Sequence, residues 1–306
     1  MNVALVDVDG HGFPNLALMR LAAWHKQQGD AVEWYSPLFS RPDRLYASKV
    51  FTFTPDYRDF AANAPTPIRG GTGYDLNVTL PDEIERTLPD YSIYPDFTPA
   101  LGFLTRGCIR NCPWCVVPRK EGNIRIADDI GRIHAGRREV VLLDNNFLAA
   151  PEAFVEEQLE KAKRLKLRLD FNQALDARLV NENNAVLLAN ARWIRYIRFS
   201  CDNPSMLEPV SNAIRVIRAA GYHGEFFVYV LAKEVLEAYD RVCRLTDIDP
   251  KIVPFCQPFR DFTSGGEPPA ELRRLARWCN IQSIRKTVPF RKYQPNFLNN
   301  EKGSNQ

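Results

Sequence analysis

The sequence predicts an α/β fold: a small N-terminal doubly wound (Rossmann-like) domain followed by a partial (β/α)6 barrel. Two observations support it. Short apolar runs rich in β-branched residues alternate with amphipathic helical segments, and a Pro- and Asp-rich stretch, "LPDEIERTLPDYSIYPDFTPA" (80–100), interrupts the alternation. Alternating strands and helices are typical of parallel sheets covered by helices. We predict a Rossmann-like domain over 1–97, a barrel over 98–290 and a polar tail over 291–306.

The N-terminal region begins with a strand and a helix. "NVALVDV" (2–8) is a short apolar run. "PNLALMRLAAWHKQQG" (14–29) is amphipathic, with Pro14 in its first turn and Gly29 as its stop. Further strands are predicted at 31–37 and 49–55, and a glycine-rich turn at 68–75.

The region after the boundary contains six predicted strands, each followed by a predicted helix. The strands are expected at 100–106, 139–146, 167–173, 195–202, 225–231 and 251–259. The helices are expected around 124–135, 151–166, 178–191, 205–220, 233–246 and 268–280. Six such units favour a parallel sheet curled into an open barrel, in which polar residues at the carboxyl ends of the strands line the ligand site.

Composition narrows the classes of protein. The chain has 306 residues, with 40 Lys and Arg against 37 Asp and Glu, so its net charge of +3 implies no strong attraction to nucleic acid or membrane. No apolar run approaches the roughly 18 residues of a membrane helix, and the start carries Asp7 and Asp9 without a basic region. We expect a cytoplasmic protein without a membrane partner, whose seven cysteines are reduced.

Three cysteines lie within one short stretch, "TRGCIRNCPWCVVP" (105–118), directly after the first predicted barrel strand. Zinc sites usually have four protein ligands, and no second cysteine pair or histidine pair lies nearby. Three thiolates suit an iron–sulfur cluster with one open iron. The alternatives are a chance loop or a stray zinc site. The predicted cluster ligands are Cys108, Cys112 and Cys115.

The Cys-x3-Cys-x2-Cys spacing, with Trp114 before the third cysteine, resembles the radical S-adenosylmethionine (radical SAM) enzymes. "RGCIRNCPWCVVPRKEG" (106–122) is similar to the members that carry a cobalamin-binding-type domain in front. The resemblance implies that the three cysteines ligate a [4Fe–4S] cluster whose fourth iron binds S-adenosylmethionine (SAM). It implies reductive cleavage of SAM to a 5′-deoxyadenosyl radical, a reductant protein such as flavodoxin or ferredoxin, and Trp114 against the adenine.

The predicted strand ends supply candidate SAM contacts. The family places its contacts to the methionine amine after the second strand, where this chain has "DNN" rather than Gly-Gly-Glu. Arg178 is a candidate for the methionine carboxylate or a surface charge, and the pair Ser200 and Asp202 for the ribose hydroxyls. Cys201, on the opposite face of its strand, is either a hydrogen-atom donor to the substrate radical or a buried core cysteine. The expected SAM contacts are Trp114, Asp144, Asn145, Asn146, Gln173, Arg178, Ser200, Asp202 and Gln257.

The first strand-to-helix turn, "DVDGHGFPN" (7–15), is similar to the Asp-x-His-x-x-Gly turn of cobalamin-binding domains. Asp9 and His11 match, but Pro14 stands at the glycine. "GGTGYD" (70–75) looks like the later glycine-rich turn of the same domain. We expect a relic that no longer binds cobalamin, with Asp9 capping the first helix and the domain closing one side of the active-site mouth. Cobalamin-dependent methyl transfer remains an alternative.

The substrate and the reaction stay open at this level. The segment 271–293 carries seven Lys and Arg against one Glu, which suits either a nucleotide or nucleic-acid partner or a solvated face. The alternative from another class is a non-enzymatic iron–sulfur electron-transfer or sensing protein. Saturated electron carriers use four cysteines, so the count of three favours the enzyme.

Overall fold

The computed structural model describes residues 1–261 and 266–295. Most of the predicted tail, 296–306, lies outside the described residues. The fold is mixed α/β with parallel sheets. In the described part of the chain, no helix combines the length and the apolar character needed to cross a membrane.

The strands are Asn2–Asp7 (β1), Ala31–Trp34 (β2), Arg44–Ser48 (β3), Ile68–Gly70 (β4), Ala100–Gly102 (β5), Thr105–Arg106 (β6), Arg125–Ile126 (β7), Glu139–Leu142 (β8), Arg168–Phe171 (β9), Arg192–Trp193 (β10), Tyr196–Ser200 (β11), Glu225–Ala232 (β12) and Ile252–Pro258 (β13). The helices are Leu16–Gln27 (α1), Asp82–Glu85 (α2), Val117–Lys120 (α3), Ile130–Ile133 (α4), Glu152–Arg164 (α5), Glu182–Asn190 (α6), Leu207–Ala219 (α7), Val235–Ile248 (α8), Ala270–Asn280 (α9) and Gln282–Thr287 (α10).

The N-terminal sheet has the strand order β2-β1-β3-β4, and all of its pairings are parallel. Successive side chains of β1 point to opposite faces. Val3 and Leu5 pack with the buried side of α1, whereas Ala4 and Val6 pack on the other side with Tyr57 and other aromatic side chains. The sheet therefore has a hydrophobic core on both faces.

A doubly wound domain has helices on both faces of its sheet, and this prediction is wrong for one of the two faces. A helix covers one face, but the other is covered by the irregular segment between β3 and β4, which is described in full and contains no helix. That segment carries Pro55, Pro65 and Pro67. Proline lacks the N–H that a helix interior needs and restricts the residue before it, so the connection crosses the sheet as coil.

The predicted strand at 49–55 is also wrong, because the third strand is β3, at residues 44–48. Phe51 and Phe53 gave 49–55 its strand-like composition, yet both side chains are about half exposed. Asp9 accepts hydrogen bonds from the backbone N–H groups of Val50 and Phe51, and these groups therefore do not pair with a strand.

The first helix begins at a residue other than the one predicted. Asn15 is its N-cap, and the Oδ1 atom of Asn15 accepts from the backbone N–H of Leu18 at 3.3 Å. Asp9 was expected to cap this helix, but its carboxylate bonds to residues 50–54, including the hydroxyl of Thr54 at 2.6 Å. The cap belongs to Asn15 because it directly precedes the first turn, whereas Asp9 lies six residues earlier.

Seven strands of the second region run parallel, and six of them, β5, β8, β9, β11, β12 and β13, neighbour one another in chain order. One sheet has the order β10-β9-β8-β5 and another β11-β12-β13, and the isolated parallel bridge between Leu175 and Phe199 connects them. The first strand is shorter than predicted, at Ala100–Gly102, and the helix expected around 124–135 is reduced to α4. The main hydrophobic core lies between these strands and the helices after them.

The N-terminal unit packs against the opposite face of β5 and β8. Leu16 and Met19 of α1 share a buried cluster with Tyr94, Leu101 and Val141. Leu101 and Val141 point away from the main core because their strand neighbours point into it. The first helix therefore covers the inner face of the first two strands in the row of six.

Packing continues past the predicted end of the barrel at residue 290. Phe290 and Tyr293 are buried, and the ring of Phe290 stacks on Tyr239 with a centroid distance of 5.4 Å. Two of the basic residues of 271–293 hold carbonyl groups: Arg274 donates to the carbonyls of Phe290 and Tyr293, and Arg285 to that of Cys279.

Arg241 of α8 is the largest fully buried side chain, with 1% exposed. It donates to the carbonyl oxygens of Cys201 and Leu231, the latter at 2.7 Å, and forms an ion pair with Glu237. These carbonyls lie at the carboxyl ends of β11 and β12. Arg241 therefore satisfies backbone groups at the edge of the sheet toward which the cysteine loop also opens.

We predict that Arg241→Met lowers the free energy of unfolding by about 2–4 kcal/mol, because it leaves two buried carbonyls without a donor. Urea unfolding followed by circular dichroism measures the change. The matched control is Arg244→Ala on the same helix, whose pair with Asp240 is exposed and whose loss should change stability little. Equal effects of the two substitutions would contradict the assignment.

Candidate cofactor site at the cysteine loop

The cysteine loop, residues 107–124, leaves and rejoins the fold through a short antiparallel ladder between β6 and β7. Gly107 begins it with a φ of +81°, and a Cβ there would lie 2.2 Å from the carbonyl oxygen of Asn123, so only glycine fits. The N–H of Cys108 donates to the carbonyl of Gly122 at 3.1 Å. The two ends of the loop are thereby held together.

Asp144, two residues past the end of β8, fixes the chain just before this loop. Its carboxylate accepts from the N–H of Leu104 at 3.0 Å, the N–H of Thr105 at 2.6 Å and the hydroxyl of Thr105 at 2.7 Å. The side chain is 1% exposed, and burial raises its pKa to about 7 against these hydrogen bonds. The contact of Asp144 with the methionine amine stays a prediction, and in the fold its carboxylate bonds to the chain just before the loop.

The two asparagines after Asp144 reach the loop itself. Asn145 Oδ1 accepts from the N–H of Gly107 at 3.3 Å. Asn146 Nδ2 lies 3.4 Å from Cys108 Sγ and 3.4 Å from a carboxylate oxygen of Asp176. Asn146 Oδ1 is buried and has no hydrogen-bond partner within the described residues. A buried acceptor without a donor is unfavourable, so this atom needs a partner that the chain does not provide.

Asp176 connects the cysteine loop to the end of β9. Its carboxylate accepts from Arg110 Nε at 3.1 Å and from Arg178 Nε and Nη2 at 2.7 and 3.0 Å. Burial raises the pKa of Asp176, but the hydrogen bonds and charges of the two arginines outweigh burial and hold the pKa below its usual value. Arg110 lies between the first two cysteines, so this ion pair anchors the centre of the loop.

The three loop thiols are half-buried. Burial raises the pKa of Cys112 and of Cys115. Cys108 Sγ accepts from the backbone N–H of Arg110 at 3.3 Å as well as from Asn146. Across residues 1–261 and 266–295, no three His, Cys, Asp or Glu side chains converge closely enough to hold a single metal ion. The loop thus supplies three free thiols as possible metal ligands, and the sulfur of Cys108 accepts two hydrogen bonds.

Trp114 lies at the outer edge of the loop and contacts the end of β12. The ammonium of Lys233 is 4.2 Å from the centroid of the Trp114 ring and 4.8 Å from that of Phe259. A cation over an aromatic face is favourable, so Lys233 joins the cysteine loop to the segment after β13.

The remaining predicted residues lie at the carboxyl ends of their strands with different exposure. Ser200 and Asp202 share the inner face, and burial raises the pKa of Asp202 against its hydrogen bond with Ser200. Gln173 and Gln257 are exposed. Cys201 is 0% exposed, and burial raises the pKa of its thiol to about 11. The expectation that Cys201 is a hydrogen-atom donor finds no support, because its side chain lies in the main core.

Sequence reasoning missed two residues that organise this region, Asp176 and Lys233. Each follows the carboxyl end of a strand. The same position in the sequence led to the prediction of other candidates, such as Arg178 and Asp202. Asp176 also begins a 3-10 helix as its N-cap. Neither stood out because Asp and Lys at such positions are common on surfaces, and only the fold brings them to the loop.

Comparisons with known proteins give only distant likenesses, to solved structures. No protein-family profile matches the chain, and no curated protein does. Among solved structures, one match is the crystal structure of methylornithine synthase, with a TM-score of 0.40 and 14% sequence identity over 58% of this chain and 61% of that one. The chain thus spans about three fifths of that protein's length, and a likeness this distant does not bear on activity.

We predict that the free energy of unfolding of the cluster-free chain falls as pH rises from about 4 to about 7, relative to an Asp144→Asn variant. The pKa of Asp144 is about 7 in the folded chain, whereas that of an unfolded Asp is about 4. Between these pH values the unfolded chain has lost the proton and the folded chain still holds it, so rising pH favours the unfolded chain. The slope from this group is at most about 1.4 kcal/mol per pH unit. Urea titrations at each pH measure it, with Asp240→Asn as an exposed control. A difference between wild type and variant that is independent of pH would contradict this assignment.

Proposed function

We propose that this chain is a radical SAM enzyme that reductively cleaves SAM at a [4Fe–4S] cluster held by Cys108, Cys112 and Cys115. The observation that carries the proposal is the Cys-x3-Cys-x2-Cys loop beside a buried polar atom without a partner. The loop follows the first of six parallel strands, and the unpaired Asn146 Oδ1 belongs to the residue whose Nδ2 contacts Cys108 Sγ. An ammonium donor, such as the methionine amine of SAM, would satisfy that atom.

The donor set fits an iron–sulfur cluster with one iron open to SAM. Three thiols belong to one loop, and two N–H groups donate to the sulfur of Cys108. Hydrogen bonds to cluster sulfurs are one means by which a protein sets the reduction potential. Bound there, the cluster would supply the electron that cleaves SAM to methionine and the 5′-deoxyadenosyl radical.

The surrounding residues would hold the cofactor and keep water out. Asn146 would accept from the methionine amine, and Arg178 would bind the methionine carboxylate with the N–H groups that Asp176 leaves free. Ser200 and Asp202 would bind the ribose hydroxyls, and Trp114 would wall the adenine. Of these residues Asn146 is buried, which strengthens its interactions because the local dielectric constant is lower than that of water, whereas Arg178 is exposed.

We further propose that the six parallel strands form a partial barrel whose open side is closed by the N-terminal unit. The burial of Leu16 and Met19 against Leu101 and Val141 supports this arrangement. A reductant protein such as flavodoxin or ferredoxin would deliver the electron in the cytoplasm. The alternative is a non-enzymatic electron-transfer or sensing protein, and the loop's three cysteines favour the enzyme because saturated electron carriers use four.

The N-terminal unit is proposed not to bind cobalamin. The carboxylate of Asp9, which matches the first residue of the cobalamin-type turn, is engaged by residues 50–54. The imidazole of His11 packs edge-on against Trp34 with a centroid distance of 4.3 Å and lies 5.7 Å from Tyr94. Both motif residues therefore have partners within the fold.

We expect about four irons per chain after anaerobic reconstitution, as a [4Fe–4S] cluster requires. Replacing Cys108, Cys112 and Cys115 together with Ala should abolish both the iron and the SAM-dependent formation of 5′-deoxyadenosine. The measurements are iron analysis and chromatography of the nucleoside product. The matched control is Cys243→Ala, outside the loop, which should keep both. Undiminished cleavage of SAM by the triple variant would refute the proposal.

We expect no stoichiometric corrin on the chain after it is incubated with hydroxocobalamin and desalted, because Asp9 and His11 are engaged within the fold. The visible spectrum measures retained corrin, and the urea-unfolded chain treated in the same way controls for nonspecific retention. One corrin per folded chain would overturn the relic interpretation and favour cobalamin-dependent methyl transfer.

A further inference from the structure

We infer that Phe51, Phe53 and Arg260 form a binding platform for a nucleotide at the rim of the proposed active site, and that the substrate therefore carries a nucleobase and a phosphate. The inference rests on the proposed function and adds the class of substrate. It concerns a surface that the cysteine loop and the SAM contacts leave unused.

The platform is a stacked array of two rings and one guanidinium group. The rings of Phe51 and Phe53 lie 5.1 Å apart between centroids, with an interplanar angle of 21°. The guanidinium carbon of Arg260 lies 4.1 Å from the centroid of Phe53. The two phenylalanines are 49% and 43% exposed. Exposed aromatic faces beside an arginine are the means by which proteins stack nucleobases.

The backbone beneath the rings is fixed from two sides. Asp9 accepts from the N–H groups of Val50 and Phe51, and the hydroxyl of Thr72 donates to the carbonyl of Val50 at 2.6 Å. A Cβ at Gly71 would lie 2.3 Å from the carbonyl oxygen of Lys49, and one at Gly73 would lie 2.8 Å from that of Phe51. The turn around Asp9 and the glycine-rich turn at residues 70–75 together fix the backbone that carries Phe51. The exposed rings of Phe51 and Phe53 are therefore held in a defined position. Preorganisation of this kind lowers the entropy cost of binding.

The platform is continuous with the cysteine loop. Arg260 and Phe259 directly follow β13, and the N–H of Phe259 donates to the carbonyl of Ala232 at 2.8 Å. Lys233, the next residue after Ala232, contacts both Phe259 and Trp114. The side chains of Arg260, Phe259 and Lys233 thus form the row that lies between a ligand on Phe51 and Phe53 and the cysteine loop.

The charge of the rim selects the class of ligand. Within the described residues, no carboxylate forms an ion pair with Arg260 or with Lys233. The positive charge of Lys233 nevertheless acts to lower the pKa of the nearby Asp202 carboxyl, which burial raises. Two cations beside a π-stack suit an anion attached to a planar ring. A nucleotide combines these parts, because the base stacks on the rings and the phosphate pairs with the planar guanidinium. An uncharged aromatic side chain would leave both cations without a partner.

The test measures binding of AMP, GMP, CMP, UMP and the four nucleosides to the reconstituted full chain by calorimetry. We expect at least one monophosphate to bind. Phe51→Ala and Phe53→Ala should each weaken that binding about tenfold, as expected when one base–aromatic stack is lost. Phe53→Tyr should restore it, which separates stacking from folding. Arg260→Gln should weaken the monophosphate but leave the nucleoside unchanged. Phe39→Ala, an exposed phenylalanine between β2 and β3, is the matched control.

Iron content and SAM cleavage are measured in the same samples, so the two proposals fail separately. A wild-type chain that holds iron and cleaves SAM but binds no nucleotide would overturn the platform and leave the proposed function standing. Equal affinities for wild type and both alanine variants would also overturn it, as would binding of N-acetyltyrosine amide in place of the nucleotides. A chain without iron or cleavage would refute the proposed function, whatever it binds.

Discussion

The carboxylate of Asp144 is the interaction on which the geometry of the cysteine loop depends. The first strand of the row of six is only three residues long, so the chain leaves the sheet early and its next N–H groups lack a strand partner. Asp144, just past the end of β8, accepts from those of Leu104 and Thr105. Burial of that carboxylate is unfavourable by itself, and three donors offset only part of the penalty, because its pKa is still raised. The loop therefore starts from a fixed point on the sheet, and Asn145 and Asn146 extend the same contact toward Cys108.

Charge pairing joins the N-terminal unit to the base of this loop. Glu85 of α2 accepts from Arg20 of α1 and from Arg106, which also forms a two-bond pair with Glu121 at 2.8 and 2.6 Å. Arg20 and Arg106 are largely buried, so loss of one partner would leave a charge in a poorly solvated place. These ion pairs thus join the N-terminal unit to the strand from which the cysteine loop starts.

Two turns of the N-terminal unit, around Asp9 and around Gly71, both contact the segment that follows β3. These contacts explain the coil on one face of the sheet. A backbone whose N–H groups bond to Asp9 cannot extend β3, and the prolines that follow prevent a helix.

The sequence by itself determined what depends on neighbouring residues: the spacing of the three cysteines, the first helix, the order of the six strands and the bounds of strands such as β12, which was confirmed to within one residue. Only the tertiary structure decided which polar groups meet. Asp9 bonds to residues more than 40 positions away, Asp144 to residues about 40 away, and Asp176 to an arginine 66 away. Cys201 is buried in the core, one of the two alternatives that the sequence left open, and Phe51 is about half exposed although it lies in a segment predicted to be a strand. Periodicity is a local property of a chain, whereas burial and pairing depend on which distant segments pack together, and no local pattern encodes that choice.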